Sequence, residues 1–327
     1  MGIISNYETD TIRAAASSLL NGNLVVFPTE TVYGLGADAT NKDAVARIYS
    51  VKGRPVGHPL IVHISSLERL GKWACDIPEY AIKLAINFWP GPMTLILPRT
   101  GLAKDFITGG QENVGIRVPS HKVALALLKE FENQGGFGVA APSANIFGKV
   151  SPTTANAAVS ELGEKLDLKD KIIDGGSSEV GIESTIIDCT NDTPRVLRPG
   201  AITIEMIKDL LLMKVKTADT LISKIKSPGL VNSHYAPNAK VYRSGTPEVG
   251  DGFIALSSVP TPNGAIRLAS PKNHLEFAQV LYSSLRLADI KSLKSVYVIA
   301  PIGEGIAVGI NDRISKAANT SFNYFLN

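Results

Sequence analysis

Two short strings, far apart along the chain, carry complementary chemistry. The first is Lys52-Gly53-Arg54-Pro55, followed by Pro59-Leu60-Ile61-Val62-His63. On an extended segment, residues two apart point to the same side, so the Lys52 ammonium and the Arg54 guanidinium can face one anion. The second is Ala140-Ala141-Pro142-Ser143-Ala144-Asn145. Ser143 and Asn145 have the same spacing after an apolar run and offer donors and acceptors beside the cations. Together the strings suit an oxyanion-rich ligand such as a nucleotide. Alone, Lys52 and Arg54 would read as a solvated pair at a helix exit, since most charges lie on the surface. The downstream polar string reverses that reading.

Other candidates follow similar logic. Arg117 closes the apolar run Val114-Gly115-Ile116-Arg117-Val118, where a buried guanidinium without an anion would be costly, so a carboxylate partner is expected. Thr29, Glu30 and Thr31 directly follow an apolar strand and should project into the cleft at a sheet edge. A turn cap is the plain alternative, and for Thr29 the two readings stand level. His58 and His63 flank a Pro-Leu step, but His121, His234 and His274 lack ligand spacing, so no zinc site is expected. Gly34-Leu35-Gly36-Ala37-Asp38-Ala39 has the outline of G-x-G-x-x-A. The chain reaches it through Pro28 and an extended polar stretch, and no acidic residue closes a second strand about 20 residues on, so dinucleotide binding is rejected. There is no G-x-x-x-x-G-K-[ST] loop, no G-x-S-x-G elbow and no convincing Cys–His nucleophile. Chemistry without a covalent enzyme intermediate is consistent with that.

The elements that must position these residues are legible in the periodicity. Helices are expected over 9–20, 44–51, 77–88, 123–133, 154–162 and 202–214. Strands are expected over 24–27, 60–64, 93–97, 114–118, 138–141, 172–174, 184–188 and 195–198. Between the first strand and the 44–51 helix, the segment after Thr31 reads as a glycine-containing turn. Strands outnumber helices, and hairpin spacings mix with crossover spacings, which favours an α/β fold with a twisted mixed sheet. Residues 1–214 would form this first domain. Residues 215–237 lose periodicity and contain Ser227-Pro228-Gly229 and Ala236-Pro237, so they read as a linker. Residues 238–327 would form a small parallel α/β domain, Rossmann-like, with strands at 240–243, 252–256, 265–268 and 296–300 and helices at 275–288 and 312–319.

Composition narrows the class. With 327 residues, 44% hydrophobic and 19% charged, the chain can bury a core in each of two domains and is not a disordered protein. A formal charge of +3, without Lys/Arg runs interleaved with aromatics, neither demands nor excludes nucleic acid. Cys75 and Cys189 are too far apart for a CxxC motif and fit free thiols in a reducing compartment. The residues Met1 to Asn6 resemble neither a signal peptide nor a myristoylation site, and no run reaches the ~18 apolar residues of a membrane span. A cytoplasmic location without membrane attachment is expected.

Several strings also occur in a characteristic order. They are Phe27-Pro28-Thr29-Glu30-Thr31-Val32-Tyr33-Gly34-Leu35-Gly36, Lys52-Gly53-Arg54, Trp89-Pro90-Gly91-Pro92-Met93-Thr94, Arg117-Val118-Pro119, Ser143-Ala144-Asn145, Glu183-Ser184-Thr185-Ile186-Ile187-Asp188 and Leu197-Arg198-Pro199-Gly200. In this the chain resembles the YrdC-like family, in the long form of its threonylcarbamoyl-AMP synthases, which carry an extra C-terminal domain. The resemblance is dense over the first ~200 residues, and several strings together arise by chance far less often than one.

The resemblance implies a sheet curved around a concave ligand face. It implies a nucleotidyltransferase that makes threonylcarbamoyl-AMP and pyrophosphate from L-threonine, bicarbonate or CO2, and ATP with Mg2+. The product would feed threonylcarbamoyladenosine formation in tRNA through a separate transferase complex, and direct contact with tRNA is left open. Arg54 would contact phosphate with Lys52 as its companion cation, and these two would be the catalytic pair. Thr31, His63, Arg117 and Ser184 would hold threonine, with Arg117 and Ser184 on its carboxylate. His58, Asn113, Ser143, Asn145, Ser151 and Arg198 would serve ATP, with Ala141 acting through its backbone. The linker would close as a lid through His234 and Tyr235. Asn232 stands where the family commonly has an aromatic ring over the nucleotide. An RNA-binding module of the same fold is the alternative reading. A hydrogenase-maturation type of carbamoyl transfer would need acylphosphatase and zinc-finger segments, which the sequence lacks.

Overall fold

The computed structural model describes residues 3–4, 8–217 and 235–319. After β1 (Ile3–Ile4), helix α1 (Thr9–Leu20) buries Ile12, Ala15, Ala16 and Leu19 on one face. β2 (Val25–Phe27) and β3 (Gly34–Asp38) form an antiparallel pair. β3 was expected as a turn and is instead a fully buried strand. Its glycines are there for packing: a Cβ on Gly36 would lie 2.8 Å from atoms of both Phe27 and Val139. Helix α2 (Lys42–Lys52) is capped by the Asn41 side chain, which accepts from the amides of Asp43 and Ala44. It stops at Gly53, whose φ of 61° a side chain would disfavour, and so delivers Lys52 and Arg54 to one place.

β4 (Ile61–His63), α3 (Leu70–Trp73), α4 (Glu79–Phe88), β5 (Met93–Pro98), α5 (Asp105–Thr108), β6 (Asn113–Arg117), α6 (Lys122–Asn133) and β7 (Val139–Ala140) follow. Next come α7 (Ala155–Leu162), β8 (Lys171–Ile173), β9 (Thr185–Asp188), β10 (Arg195–Arg198), α8 (Ile204–Leu211) and β11 (Lys216–Thr217). The eleven strands form one mixed sheet in the order β1-β8-β2-β3-β7-β4-β6-β5-β9-β10-β11. β4 and β6 are parallel, so His63 lies opposite Arg117 at their carboxyl ends, where open α/β sheets hold ligands. β5 pairs antiparallel with β6 and parallel with β9. Lys216–Thr217, expected as linker, pairs with β10 and ends the sheet.

The C-terminal part comprises β12 (Lys240–Tyr242), β13 (Gly252–Ile254), β14 (Ile266–Ala269), α9 (His274–Ile290), β15 (Ser295–Val298) and α10 (Ile306–Asn319). Its strands are all parallel, in the order β12-β15-β13-β14, as the alternating pattern predicts. α10 begins six residues earlier than expected, because Gly305 and Gly309 read as breakers when only local propensity is weighed. The core of this part is not closed on itself. Val32, Val150 and Ile182 of the first part pack with Phe277, Tyr282 and Ile310 in one buried cluster. No helix of the described residues is long and apolar enough to cross a membrane. Both cysteines are free thiols; Cys189 is buried and Cys75 is exposed.

Candidate functional site

A cavity with about 650 Å³ of space between its walls opens at the carboxyl ends of β4 and β6. Thr29, Thr31, Lys52, Arg54, His63, Arg117, Ala141, Ser143, Ser184, Arg198 and Tyr235 all line it, although the sequence scatters them over three-fifths of the chain's length. The two strings of opposite character do meet, though not as side-by-side donors on an extended segment. Lys52 is the last residue of α2, and its buried ammonium donates to the carbonyl oxygens of Ser143 and Asn145. It ties the polar loop to the helix end. Burial, then the nearby Arg54, lowers its pKa well below the usual lysine value.

Arg54 is the freer cation. One terminal nitrogen donates to the Pro59 carbonyl at 3.0 Å, and the guanidinium lies 5.5 Å from the centre of the Phe147 ring. Its buried Nε has no hydrogen-bond partner. Burial pushes its pKa down to about 10, the signature of a cation that an anion would relieve.

Arg117 does find the carboxylate partner expected for it, but within the protein. Its Nη2 lies 2.6 Å from Glu30 Oε1, both side chains being buried, and Nη1 donates to Thr31 Oγ1 at 2.9 Å. Arg117 Nε remains without a hydrogen-bond partner. Thr29 satisfies its bland reading. Its hydroxyl donates to the Val32 carbonyl and accepts from the Thr31 and Val32 amides, so it caps the turn while also lining the cavity.

Ser184 shares a 2.8 Å hydrogen bond with Thr94 Oγ1 and is gripped by Arg198, through Nη2 to its hydroxyl and Nε to its carbonyl. Glu183 beside it accepts from Ser151 at 2.6 Å, and from Tyr282 and Arg313 at 2.8 Å each. Burial alone would push Glu183 up, but Arg313 and then Arg198 outweigh it and hold the carboxyl down at about 2. Tyr235 lines the cavity in a left-handed conformation with φ of 66°, stacked on Tyr282 at 5.8 Å.

Not every expected residue reaches the wall. Asn145 is fully buried and its amide donates to the carbonyls of Ile146 and Lys149, which folds the loop. Ser151 is spent on Glu183. The Ala141 amide donates to the Ile61 carbonyl, so only its carbonyl oxygen could serve a ligand. His58 stands edge-on to Phe147 at 5.5 Å, and Asn113 lies at the amino end of β6, opposite Arg117. Neither lines this cavity. Asn232 and His234 lie outside the described residues. Sequence reasoning aimed Glu30 at the cleft without naming its partner, and gave no role to Glu183, Tyr282 or Arg313; of these last three, two carried a readable trace. Glu183 interrupts an apolar run, and Arg313 falls in the stripe Ile310, Ile314, Ala317 at helical spacing.

His63 supplies a pH prediction. Burial, reinforced by Arg117, pushes it from 6.5 to about 3, so the ring is neutral and its Nδ1 has no partner in the wall. Between those values the unfolded chain binds a proton there that the folded chain does not. Stability therefore falls as pH drops from 6.5 toward 3, by at most about 1.4 kcal/mol per pH unit. Glu183 adds to the same trend lower down, its contribution present above 4.5 and lost as pH falls toward 2. Urea midpoints should drop between pH 6.5 and 5 in the natural chain, and His63→Gln should flatten that slope. An unchanged slope in the variant would remove His63 as the cause.

Comparison with known proteins places the chain in a family. A family model described as "Telomere recombination" (Sua5/YciO/YrdC) matches residues 17–200, and one described as "Threonylcarbamoyl-AMP synthase, C-terminal domain" matches 202–319. The chain is 46% identical to the threonylcarbamoyl-AMP synthase of Pyrococcus abyssi, over 70% of this chain and 66% of that one. It is 37% identical to the Bacillus subtilis threonylcarbamoyl-AMP synthase, over 94% of this chain and 92% of that one. The crystal structure of P. abyssi Sua5 complexed with L-threonine superposes with a TM-score of 0.86 at 36% identity, covering 96% of this chain and 95% of that one. The chain belongs to the Sua5/YrdC family of threonylcarbamoyl-AMP synthases, in its two-part form.

Proposed function

We propose that the chain condenses L-threonine, bicarbonate or CO2, and ATP into threonylcarbamoyl-AMP with release of pyrophosphate. The observation that carries this reading is a pair of buried guanidinium edges, Arg54 Nε and Arg117 Nε, both without a hydrogen-bond partner and both belonging to residues that line one cavity. Two such edges suit two anions held close together. Arg117, with Ser184, takes the threonine carboxylate, while Thr31 and neutral His63 orient its hydroxyl and amine. The amine captures CO2 as a carbamate, whose oxygen attacks the α-phosphorus of ATP as pyrophosphate departs. Arg54 and Arg198 neutralise charge on the phosphates, and Lys52 holds the Ser143–Asn145 loop against them. No general base from the protein is required once the carbamate exists.

Magnesium belongs to this reaction as part of the ATP complex. Among the described residues no three His, Cys, Asp or Glu side chains are grouped to hold a metal, and Glu30 and Glu183 are each committed to an arginine. Bound with ATP, magnesium would supply screening of the phosphate oxygens that Arg54 and Arg198 face. The product would pass to a separate tRNA threonylcarbamoyl transferase, with which a cytoplasmic location agrees. The RNA-binding alternative is not favoured, since the curated relatives are named as synthases.

The test is pyrophosphate release from MgATP with threonine and bicarbonate added singly and together. Release that requires both is the expected result. ATP binding without such release would return the fold to the binding-module reading.

A further inference from the structure

The cavity is walled by the first sheet, yet part of that wall is held from the other side by the C-terminal helix α10. Arg313 is fully buried. Its Nε donates to Glu183 Oε2 at 2.8 Å, Nη2 to the Glu183 carbonyl at 3.2 Å, and Nη1 to the Pro199 carbonyl at 2.9 Å. Nη1 also meets Asp312 Oδ2 at 2.7 Å. Glu183 precedes Ser184, and Pro199 follows Arg198; these are the two cavity residues that grip each other. One guanidinium thus reaches the chain on both sides of that contact.

Backbone approach makes the grip close. A Cβ on Gly309, one turn before Arg313, would sit 3.2 Å from Gly200 Cα and 3.1 Å from Ile182 Cδ1. A Cβ on Gly200 would lie 2.6 Å from the Thr185 amide and 2.8 Å from the Glu183 carbonyl. Gly181 is as tight against α9, with 2.4 Å to the Ala278 carbonyl. From α9, Tyr282 donates to the same Glu183 oxygen that Arg313 holds, and it stacks under the cavity-lining Tyr235. The Arg313 guanidinium stands 5.5 Å from the Tyr235 ring centre.

We propose that Arg313 is a positioning residue of the synthase site: by holding Glu183 and the carbonyls of residues 183 and 199, it sets where Ser184 stands for threonine and where its partner Arg198 stands for the phosphates. The proposal rests on the synthase reading above. It makes the C-terminal part a structural component of the threonine wall, distinct from any closure by the linker. A fixed wall matters because displacing a binding group by about 1 Å can cost on the order of 10²-fold.

The experiment measures L-threonine binding by calorimetry, MgATP binding, and melting temperature for full-length variants. Arg313→Met should lower the melting temperature, because it leaves Glu183 buried without its cation. It should raise the threonine Kd at least about tenfold and weaken MgATP binding as well, since Ser184 is placed on threonine and Arg198 on the phosphates. The double variant Glu183→Gln/Arg313→Met removes both buried charges, so its melting temperature should recover while threonine binding stays weak. A purely structural anchor would recover both. Threonine affinity equal to the natural chain's in the thermally recovered double variant overturns the proposal. If the double variant does not recover, Arg313→Lys decides. Lysine keeps a charge beside Glu183 but cannot reach three acceptors at once, so weak threonine binding in this folded variant supports the proposal and unchanged binding ends it. Natural chain that binds no threonine and releases no pyrophosphate would instead sink the synthase reading itself.

Discussion

Arg54→Ala lowers kcat about 10²–10³-fold, the range lost when one preorganised donor to developing charge is removed. The fold should survive this change. Among the described residues, the Arg54 side chain donates to the Pro59 carbonyl and contacts the Phe147 face. Those interactions contribute roughly 1–2 kcal/mol together. Against them stands the desolvation of a cation whose Nε is buried without a partner. The two nearly cancel, so melting temperature should move little while turnover collapses. MgATP should stabilise the natural chain more than the variant, because the anion relieves that desolvation. Pyrophosphate release and thermal melts with and without MgATP check both halves. Aggregation of Arg54→Ala with undiminished turnover per folded molecule would assign the residue to the scaffold.

Arg117→Met is expected to cost about 3–5 kcal/mol of stability, the loss seen when one partner of a buried ion pair is removed. Glu30 is then a carboxylate at 2% exposure whose oxygens have no hydrogen-bond donor. Threonine binding should be lost at the same time. The double variant Glu30→Gln/Arg117→Met separates the effects, since stability should return and threonine binding should not. Urea unfolding and calorimetry with threonine read the two outcomes. Threonine affinity regained in the double variant would show that Arg117 serves Glu30 alone.

Much of the site could be seen before the fold. Lys52, Arg54, Thr31 and Arg117 are marked by local strings, because each motif pairs a special backbone feature with a polar side chain in an apolar neighbourhood, whereas His63, Ser184 and Arg198 enter through the family resemblance. α1 and α2 were legible for a related reason: apolar spacing, an Asn cap and a glycine stop are all short-range signals. β3 was not, since its glycines signal a turn locally and only the rings of Phe27 and the branch of Val139 explain them.

Partnership was beyond local reading. The sequence alone determined which residue types would face an anion and that a mixed sheet would carry them, since periodicity and capping are properties of neighbours along the chain. Tertiary structure decided that Lys52 holds a loop, that Arg117 answers Glu30, that the Asn145 amide donates to the Ile146 carbonyl and that Ser151 donates to Glu183. It alone brought Arg313 to Glu183, 130 positions away along the chain. Burial leaves a charge no water to fall back on, so its partner is chosen by whatever the fold packs against it, however distant in sequence.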